Sequence, residues 1–429
     1  MAADLADVAA DVDVAAVQRR TLRLLFISQV LGGVGVAIGL SVGALLAADM
    51  AGIGLSGLAQ SAAVVGAALL AVPVTRIMRQ FGRRTGLATS YLTAATGGAA
   101  VVTAAVIGSV PLLFAGLFLF GGGTTANMLA RYTAVDLAPA ARKGRHLSLI
   151  VWATTVGAVA GPNLGPVSAR VMDGVSLGGA AVPALASPFA ISVVMFGLGA
   201  LVLTALLRPD PLLLARRLAG APADGKTAGG GMRAAAAEVL ARPSARLGVG
   251  AMAVGHLVMV AVMAMTPVHI YGFGHGPDHT LRIVGVVLSL HIAGMFAFAP
   301  VTGWLTDRFG RRRVILGGIT LLLAACAVAG TAGHHSVQLS VGLFLLGLGW
   351  SGTMVAGSTL LSESVPEPVR PSAQGLSDLV MGLAGAAGGA VSGLVVALAG
   401  YPTLTLLAAV SALPLLALAL RPVREKLYA

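Results

Sequence analysis

Two short stretches concentrate the side chains that bind soft ions. The first reads Met252-Ala-Val-Gly-His256-Leu-Val-Met259-Val-Ala-Val-Met263. On a helix of 3.6 residues per turn its three methionines and histidine fall within roughly 60° of one another, on a single face. The second reads His291-Ile-Ala-Gly-Met295, again one turn apart. If the two stretches are consecutive antiparallel helices, Met263 and His291 sit at matching depth, with Met259 and Met295 about a turn deeper. Thioether sulfur and imidazole nitrogen suit Cu(I), and the cluster contains none of the carboxylates that hard cations require. Met259, Met263, His291 and Met295 are therefore the expected ligands, with Met252 and His256 as a second, deeper station. The plain alternative is that methionine fills irregular gaps in apolar interfaces. A histidine in the middle of an apolar run has no such plain role.

The elements that must carry these residues are membrane-spanning. Of the 429 residues, 57% are hydrophobic and 10% charged, which no water-exposed globular surface allows. Apolar runs of about 20 residues, enough to cross a hydrocarbon core as helix, recur along the chain. They predict twelve helices over 22–48, 52–75, 84–107, 110–134, 145–169, 185–207, 245–272, 281–304, 313–333, 338–362, 372–399 and 402–420. This leaves a cytoplasmic tail at 1–21, a six-helix half at 22–207, a polar linker at 208–244, a second six-helix half at 245–420 and a cytoplasmic tail at 421–429. The first twenty residues do not resemble a cleaved secretory signal.

The formal net charge of +12 alternates loop by loop rather than forming a nucleic-acid patch. Arg76, Arg79, Arg83 and Arg84 occupy one loop, and Arg308, Arg311, Arg312 and Arg313 another, while the opposite loops hold only Arg170 and Arg282. Because positive residues stay in the cytoplasm during insertion, both termini are expected inside. The chain also repeats. Phe81-Gly82-Arg83-Arg84 recurs as Phe309-Gly310-Arg311-Arg312, 228 residues later. Asp136-Leu-Ala-Pro139 matches Glu363-Ser-Val-Pro366 at 227, and Gly161 and Gly165 match Gly389 and Gly393 at 228. Two similar halves with substrate near the midplane are the usual basis of alternating access.

The stretch Gly303-Trp-Leu-Thr-Asp307-Arg308-Phe-Gly310-Arg311-Arg312 resembles the loop signature of the major facilitator superfamily. That resemblance implies an all-α integral membrane protein of the major facilitator fold, twelve helices in two pseudo-symmetric halves, in the cell's inner (cytoplasmic) membrane. It makes Asp307, Arg308, Arg311 and Arg312 a gating latch, with simple positive-inside anchoring as the alternative. The first-half copy has Arg79 and Gln80 where the family has Asp and Arg, so the second-half latch is expected to dominate. Gly157-Ala-Val-Ala-Gly161-Pro162-Asn-Leu-Gly165-Pro166 resembles a motif of proton-coupled exporters, although small residues at this spacing equally serve packing against the other half. The MxxxM pair Met259/Met263 and the HxxxM pair His291/Met295, in consecutive helices, resemble the CcoA-type copper importers of the same superfamily. This implies inward copper transport, with copper as cargo and no cofactor.

Among other intramembrane polar residues, Asp378, with Gln374 one turn before it, is a candidate proton-coupling acid, or a structural hydrogen bond. Arg131 is a candidate gating residue that needs Asp136 or a backbone carbonyl as partner. Gln29 and Asn127 are the uncharged additions. His269, His275, His279 and the His334-His335 pair fall in outer loops, where they collect copper or simply meet solvent. Cys326, the one cysteine, reads as a small buried hydrophobe. No HExxH is present, and no GxSxG nucleophile elbow placed between strand and helix, so an enzyme is not expected. The rival readings are a proton-coupled exporter of small organic compounds, which the 5% aromatic content disfavours, and a non-transporting copper sensor or insertion factor. The expected partners are the bilayer and a copper ion or small molecule, not nucleic acid, with the protein working as a monomer.

Overall fold

A computed structural model describes residues 13–139, 142–177, 179–219, 232–366 and 369–420. The distal parts of both expected tails, 1–12 and 421–429, and the centre of the expected linker, 220–231, lie outside the described residues. The described chain is helical apart from one two-stranded antiparallel ribbon, β1 (Ser176–Leu177) with β2 (Ala180–Ala181). Such a structure follows from a lipid solvent, because helices satisfy every backbone polar group within one segment.

The helices are α1 (Val14–Ala51), α2 (Ile53–Ile107), α3 (Val110–Phe120), α4 (Gly122–Thr133), α5 (Lys143–Ala160), α6 (Gly165–Val171), α7 (Ser187–Leu206), α8 (Pro211–Ala219) and α9 (Met232–Ala241). They continue as α10 (Pro243–Tyr271), α11 (Pro277–Phe296), α12 (Ala299–Phe309), α13 (Arg311–Gly330), α14 (Ser336–Ser364) and α15 (Arg370–Leu420). Among the described residues nine helical segments are long and apolar enough to cross a membrane. Two are of double length: α2 with 55 residues and α15 with 51, each interrupted by a glycine outside helical geometry, Gly82 at φ 91° and Gly400 at φ 81°. The helix expected at 145–169 is broken between α5 and α6 by a 3₁₀ turn, Gly161–Leu164, which contains Pro162. Proline lacks the amide hydrogen the helix ladder needs. The first helix begins at Val14 rather than at 22, and so carries Arg19, Arg20 and Arg23.

The repeat seen in the sequence is also a repeat of backbone conformation. Positive-φ glycines occur in helix-joining turns at Gly52 and Gly274, Gly82 and Gly310, Gly108 and Gly333, and Gly174 and Gly400, with spacings of 222, 228, 225 and 226 residues. Gly82 (φ 91°, ψ 171°) and Gly310 (φ 88°, ψ 151°) adopt a conformation essentially reserved for glycine.

The chain forms two compact units. One comprises Met1–Leu46, Ala62–Lys226 and Pro277–Gly285, and the other Ala47–Ser61, Thr227–Gly276 and Val286–Ala429. The first unit holds a cluster of aromatic rings in its core. Tyr91, Phe120, Phe189 and Phe196 are buried, with Phe120 edge-on to Phe189 and Phe196 at 5.4 and 5.3 Å. Gly32, Gly35 and Gly39 of α1 face Tyr91, Phe196 and Phe120 in turn. Small residues there let rings replace side chains on the helix. In the second unit α13 and α14 approach through Gly318, Gly349 and Gly352, and α10 meets α14 through Gly248 and Gly357. A small cluster of Ala235, Val239, Ala245, Leu361, Val365 and Ala373 seats α9 against it.

Candidate functional site

In the second unit the sequence-predicted ligands divide into groups with different partners. Met252 and Met259 on α10 are buried, Met263 is half-buried, and on α11 His291 is fully buried and Met295 nearly so. His291 Nδ1 lies 2.8 Å from the Leu343 carbonyl of α14. A carbonyl only accepts, so Nδ1 carries the hydrogen and Nε2 keeps its lone pair. Nε2 is buried and, among the described residues, has no hydrogen-bond partner, sulfur included. The His291–Met295 turn lies backbone-close to Gly347 of α14, which any side chain there would disturb.

The second station expected at Met252 and His256 is differently employed. The Ser377 hydroxyl donates to the Met252 sulfur at 3.2 Å, and the Trp350 indole N–H donates to His256 Nδ1 at 3.1 Å. Trp has a donor and no acceptor, so His256 Nδ1 spends its lone pair on the indole and the hydrogen sits on Nε2. The two imidazoles therefore present opposite faces: His291 a sealed lone pair, His256 an N–H. As it stands, His256 offers no lone pair to a metal. Among the described residues no group of three His, Cys, Asp or Glu converges on an ion site. Any metal here would rest on thioethers and an imidazole.

The first unit contains a polar network that the sequence only hinted at. The Gln29 amide nitrogen donates to the Asn127 carbonyl (3.1 Å) and to Thr154 Oγ1 (2.8 Å). The Tyr91 hydroxyl stands 2.9 Å from the Ser28 carbonyl, 3.2 Å from Gln29 Oε1 and 2.9 Å from Asn127 Oδ1. The phenol has one hydrogen for these three oxygens; the Ser28 carbonyl, which only accepts, takes it, and the Asn127 amide then meets the phenol oxygen with its nitrogen. Arg131, one turn on, bonds through Nε to the Met128 carbonyl at 3.0 Å, the second of its two expected partners. Asp136 is not available to it.

Asp136 belongs to Arg83, whose Nε and Nη2 reach its two oxygens at 2.9 and 3.1 Å. The matching residues of the second half, Arg311 and Glu363, pair at 2.6 Å. The expected latch partner Asp307 is 77% exposed and lies 3.6 Å from Arg311, so Glu363 is the closer acid. Arg312 reaches the Ala419 carbonyl. The first-half copy is the better enclosed: its side chains are 16% and 11% exposed, against 28% and 51%. Beside it the Asp210 carboxylate accepts from the amides of Arg84 (2.8 Å), Leu212 (3.0 Å) and Leu213 (3.2 Å). It occupies the place a side chain at Gly82 would take. Among the described residues nothing stands within 4 Å of the equivalent position at Gly310. Burial raises the Asp136 carboxyl above the ordinary carboxylate range, against the opposite pull of the Arg83 guanidinium.

The remaining expected residues have simpler roles. Gly157 and Gly161 pack against α1, at Val30–Val34 and Val34–Ile38. Pro162 is buried in the 3₁₀ turn and Gly165 contacts Leu281. Asp378 is half-buried and makes an interaction of its own. His269 bonds the Gly333 carbonyl at 3.0 Å and stacks on Tyr401. Trp350, Tyr91, Asp210 and Glu363 are partners that sequence reasoning missed. A tryptophan in mid-helix, which needs an acceptor for its N–H, was the available signal for Trp350.

Comparison with known proteins places this geometry. The family model described as Major Facilitator Superfamily matches residues 276–428. The uncharacterized MFS-type transporter YddS of Bacillus subtilis is 37% identical over 415 residues, covering 95% of this chain and 92% of that one. The riboflavin transporter RfnT of Brucella anthropi is 29% identical over 375 residues, 85% of each chain. A crystal structure of the nucleoside transporter NupG superimposes with a TM-score of 0.68 at 16% identity, covering 95% of this chain and 100% of that one, and so shares the fold. With repeated helical halves, paired loop arginines and a near-full-length relative at this level of identity, the chain belongs to the major facilitator superfamily.

Proposed function

We propose that this multi-pass membrane protein is a secondary transporter of a small organic solute bearing hydrogen-bond acceptors, working by alternating access in the cell membrane. Twelve passes with both termini inside, and halves bounded near 22–207 and 245–420, belong to the same proposal. The observation that carries the solute class is the polar network of Gln29, Tyr91, Asn127 and Thr154 set in an apolar helical core. Arg131 lies one turn from Asn127 on the same helix. Polar side chains inside an apolar helical bundle are costly and mark a functional face. The Arg131 guanidinium and the amides of this face suit a solute with acceptors, neutral or anionic. The riboflavin transporter relative supports a solute of this kind, since it aligns along most of both chains.

A second reading, copper import, is favoured by His291. Histidines that bind metals usually donate their other ring N–H to a carbonyl, as His291 does to Leu343. Leaving Nε2 unsatisfied costs about 1–3 kcal/mol, which an ion held with Met295, Met259 and Met263 would offset. The organic reading ranks first because the sealed imidazole is the one with the lone pair, while the unsealed one offers a proton.

Both are tested together in a strain lacking the protein, complemented with wild type and with Asn127→Ala, His291→Ala or Met295→Ala at matched expression. Uptake of labelled riboflavin and of radioactive copper, and susceptibility to a panel of exported compounds, are measured side by side. Organic-solute transport lost with Asn127→Ala and kept with His291→Ala supports the first reading. Copper uptake that depends on His291 and Met295, with no organic phenotype, replaces it by the second.

A further inference from the structure

We infer that His256 is a specificity-determining residue of this transporter, locked by Trp350 to donate its Nε2–H to an in-plane acceptor of a planar aromatic solute. The inference rests on the organic-solute reading and deepens it. Three observations on three different helices meet at this ring. The Trp350 indole of α14 donates to Nδ1 at 3.1 Å, so one of the two neutral tautomers is excluded. Nε2 has no partner among the described residues and is not among the sealed atoms, so the hydrogen of this half-buried ring is left without an acceptor. Gly385 of α15 gives the ring its place: a Cβ there would stand 2.5 Å from His256 Cδ2 and 2.9 Å from Nε2.

The surroundings define the partner. Trp350 lies with its ring 6.2 Å from the imidazole and 5.6 Å from Phe296, to which it is edge-on at 71°. Aromatic rings at these separations interact favourably, and Phe296 is half-buried, leaving part of its ring for a further one. A carbonyl oxygen or ring nitrogen in the plane of a flat solute suits the N–H, while the aromatic neighbours suit its faces. A cation is refused, since the lone pair is already used. A purely structural tie between α10 and α14 would use the same Trp350–His256 bond and need no free donor.

The test uses the full chain in cells, with riboflavin as the flat acceptor-bearing probe, and reads KM and Vmax separately at matched expression. His256→Ala removes the donor and is expected to raise KM about tenfold; His256→Gln, whose amide N–H reaches the Nε2 position, stays within about threefold of wild type. Trp350→Phe keeps a ring but frees the tautomer, and Gly385→Ala pushes the imidazole aside. Both are expected to raise KM about threefold or more with Vmax held. Nitrogen NMR of imidazole-labelled, purified full-length protein should find the His256 proton on Nε2 in wild type and distributed over both nitrogens in Trp350→Phe. A proton on Nδ1, a glutamine variant as impaired as the alanine one, or unchanged KM in His256→Ala would overturn the inference. Unchanged KM with wild-type transport intact sinks this inference alone; a wild type that moves no organic probe sinks the organic reading and this inference with it.

Discussion

Replacing Arg83 by Met should destabilise the protein far more than replacing its repeat-mate Arg311, although the two arginines occupy matching positions. Arg83 meets both oxygens of an Asp136 that is 11% exposed. Losing one partner of an enclosed pair costs about 3–5 kcal/mol, because the other charge is left without compensation. Arg311 faces a Glu363 that is 51% exposed, where such pairs contribute about 0–1 kcal/mol. The pH dependence has a definite sign. The folded Asp136 carboxyl already titrates above its unfolded value of about 3.9, and removing Arg83 takes away two lowering influences and raises it further. A group whose folded value is raised favours the folded state fully below the unfolded value, and that contribution is lost as pH rises through the folded value. The deficit of Arg83→Met relative to wild type should therefore be largest near neutrality. It should shrink towards pH 4, by at most about 1.4 kcal/mol per pH unit. Thermal unfolding of the purified protein followed by intrinsic fluorescence between pH 4 and 8 measures this. Equal losses for the two arginines, or a deficit that does not change with pH, would refute the reasoning.

Gly82→Ala should cost more than Gly310→Ala: both impose a left-handed strain of about 1–3 kcal/mol, but only the first also displaces Asp210, and unfolding midpoints of the two variants give the comparison. Gly32→Ala places a methyl against the Tyr91 hydroxyl and Asn127 Oδ1, so organic-solute uptake should fall at least as far as in Asn127→Ala, measured at matched expression. Cys326, the one cysteine of the chain and 2% exposed, should resist a maleimide fluorophore in the folded protein and react as the second unit melts, which makes labelling rate against temperature a direct stability assay.

Much was legible in the sequence because it depends on local averages. Hydropathy over 20-residue windows reports the solvent a segment meets, so the membrane class and the helical architecture follow without tertiary knowledge. The repeat placed Arg83 and Arg311 in register, and Asp136 and Glu363 likewise, and the structure pairs each arginine with the acid of its own half. Gly157 and Gly161 could be read as packing residues, though not which helix they pack against, which is α1. Only the tertiary structure decided what His256 and His291 offer. Trp350 stands 94 residues from His256, and Leu343 stands 52 from His291. One partner is a donor and the other an acceptor, and this difference alone fixes opposite tautomers on two histidines that look alike in sequence. The same holds for Gln29, Tyr91, Asn127 and Thr154, four residues of four separate segments. Periodicity states which face of a helix a side chain occupies; the depth and rotation of the facing helix, set by glycine contacts far along the chain, decide which group it meets.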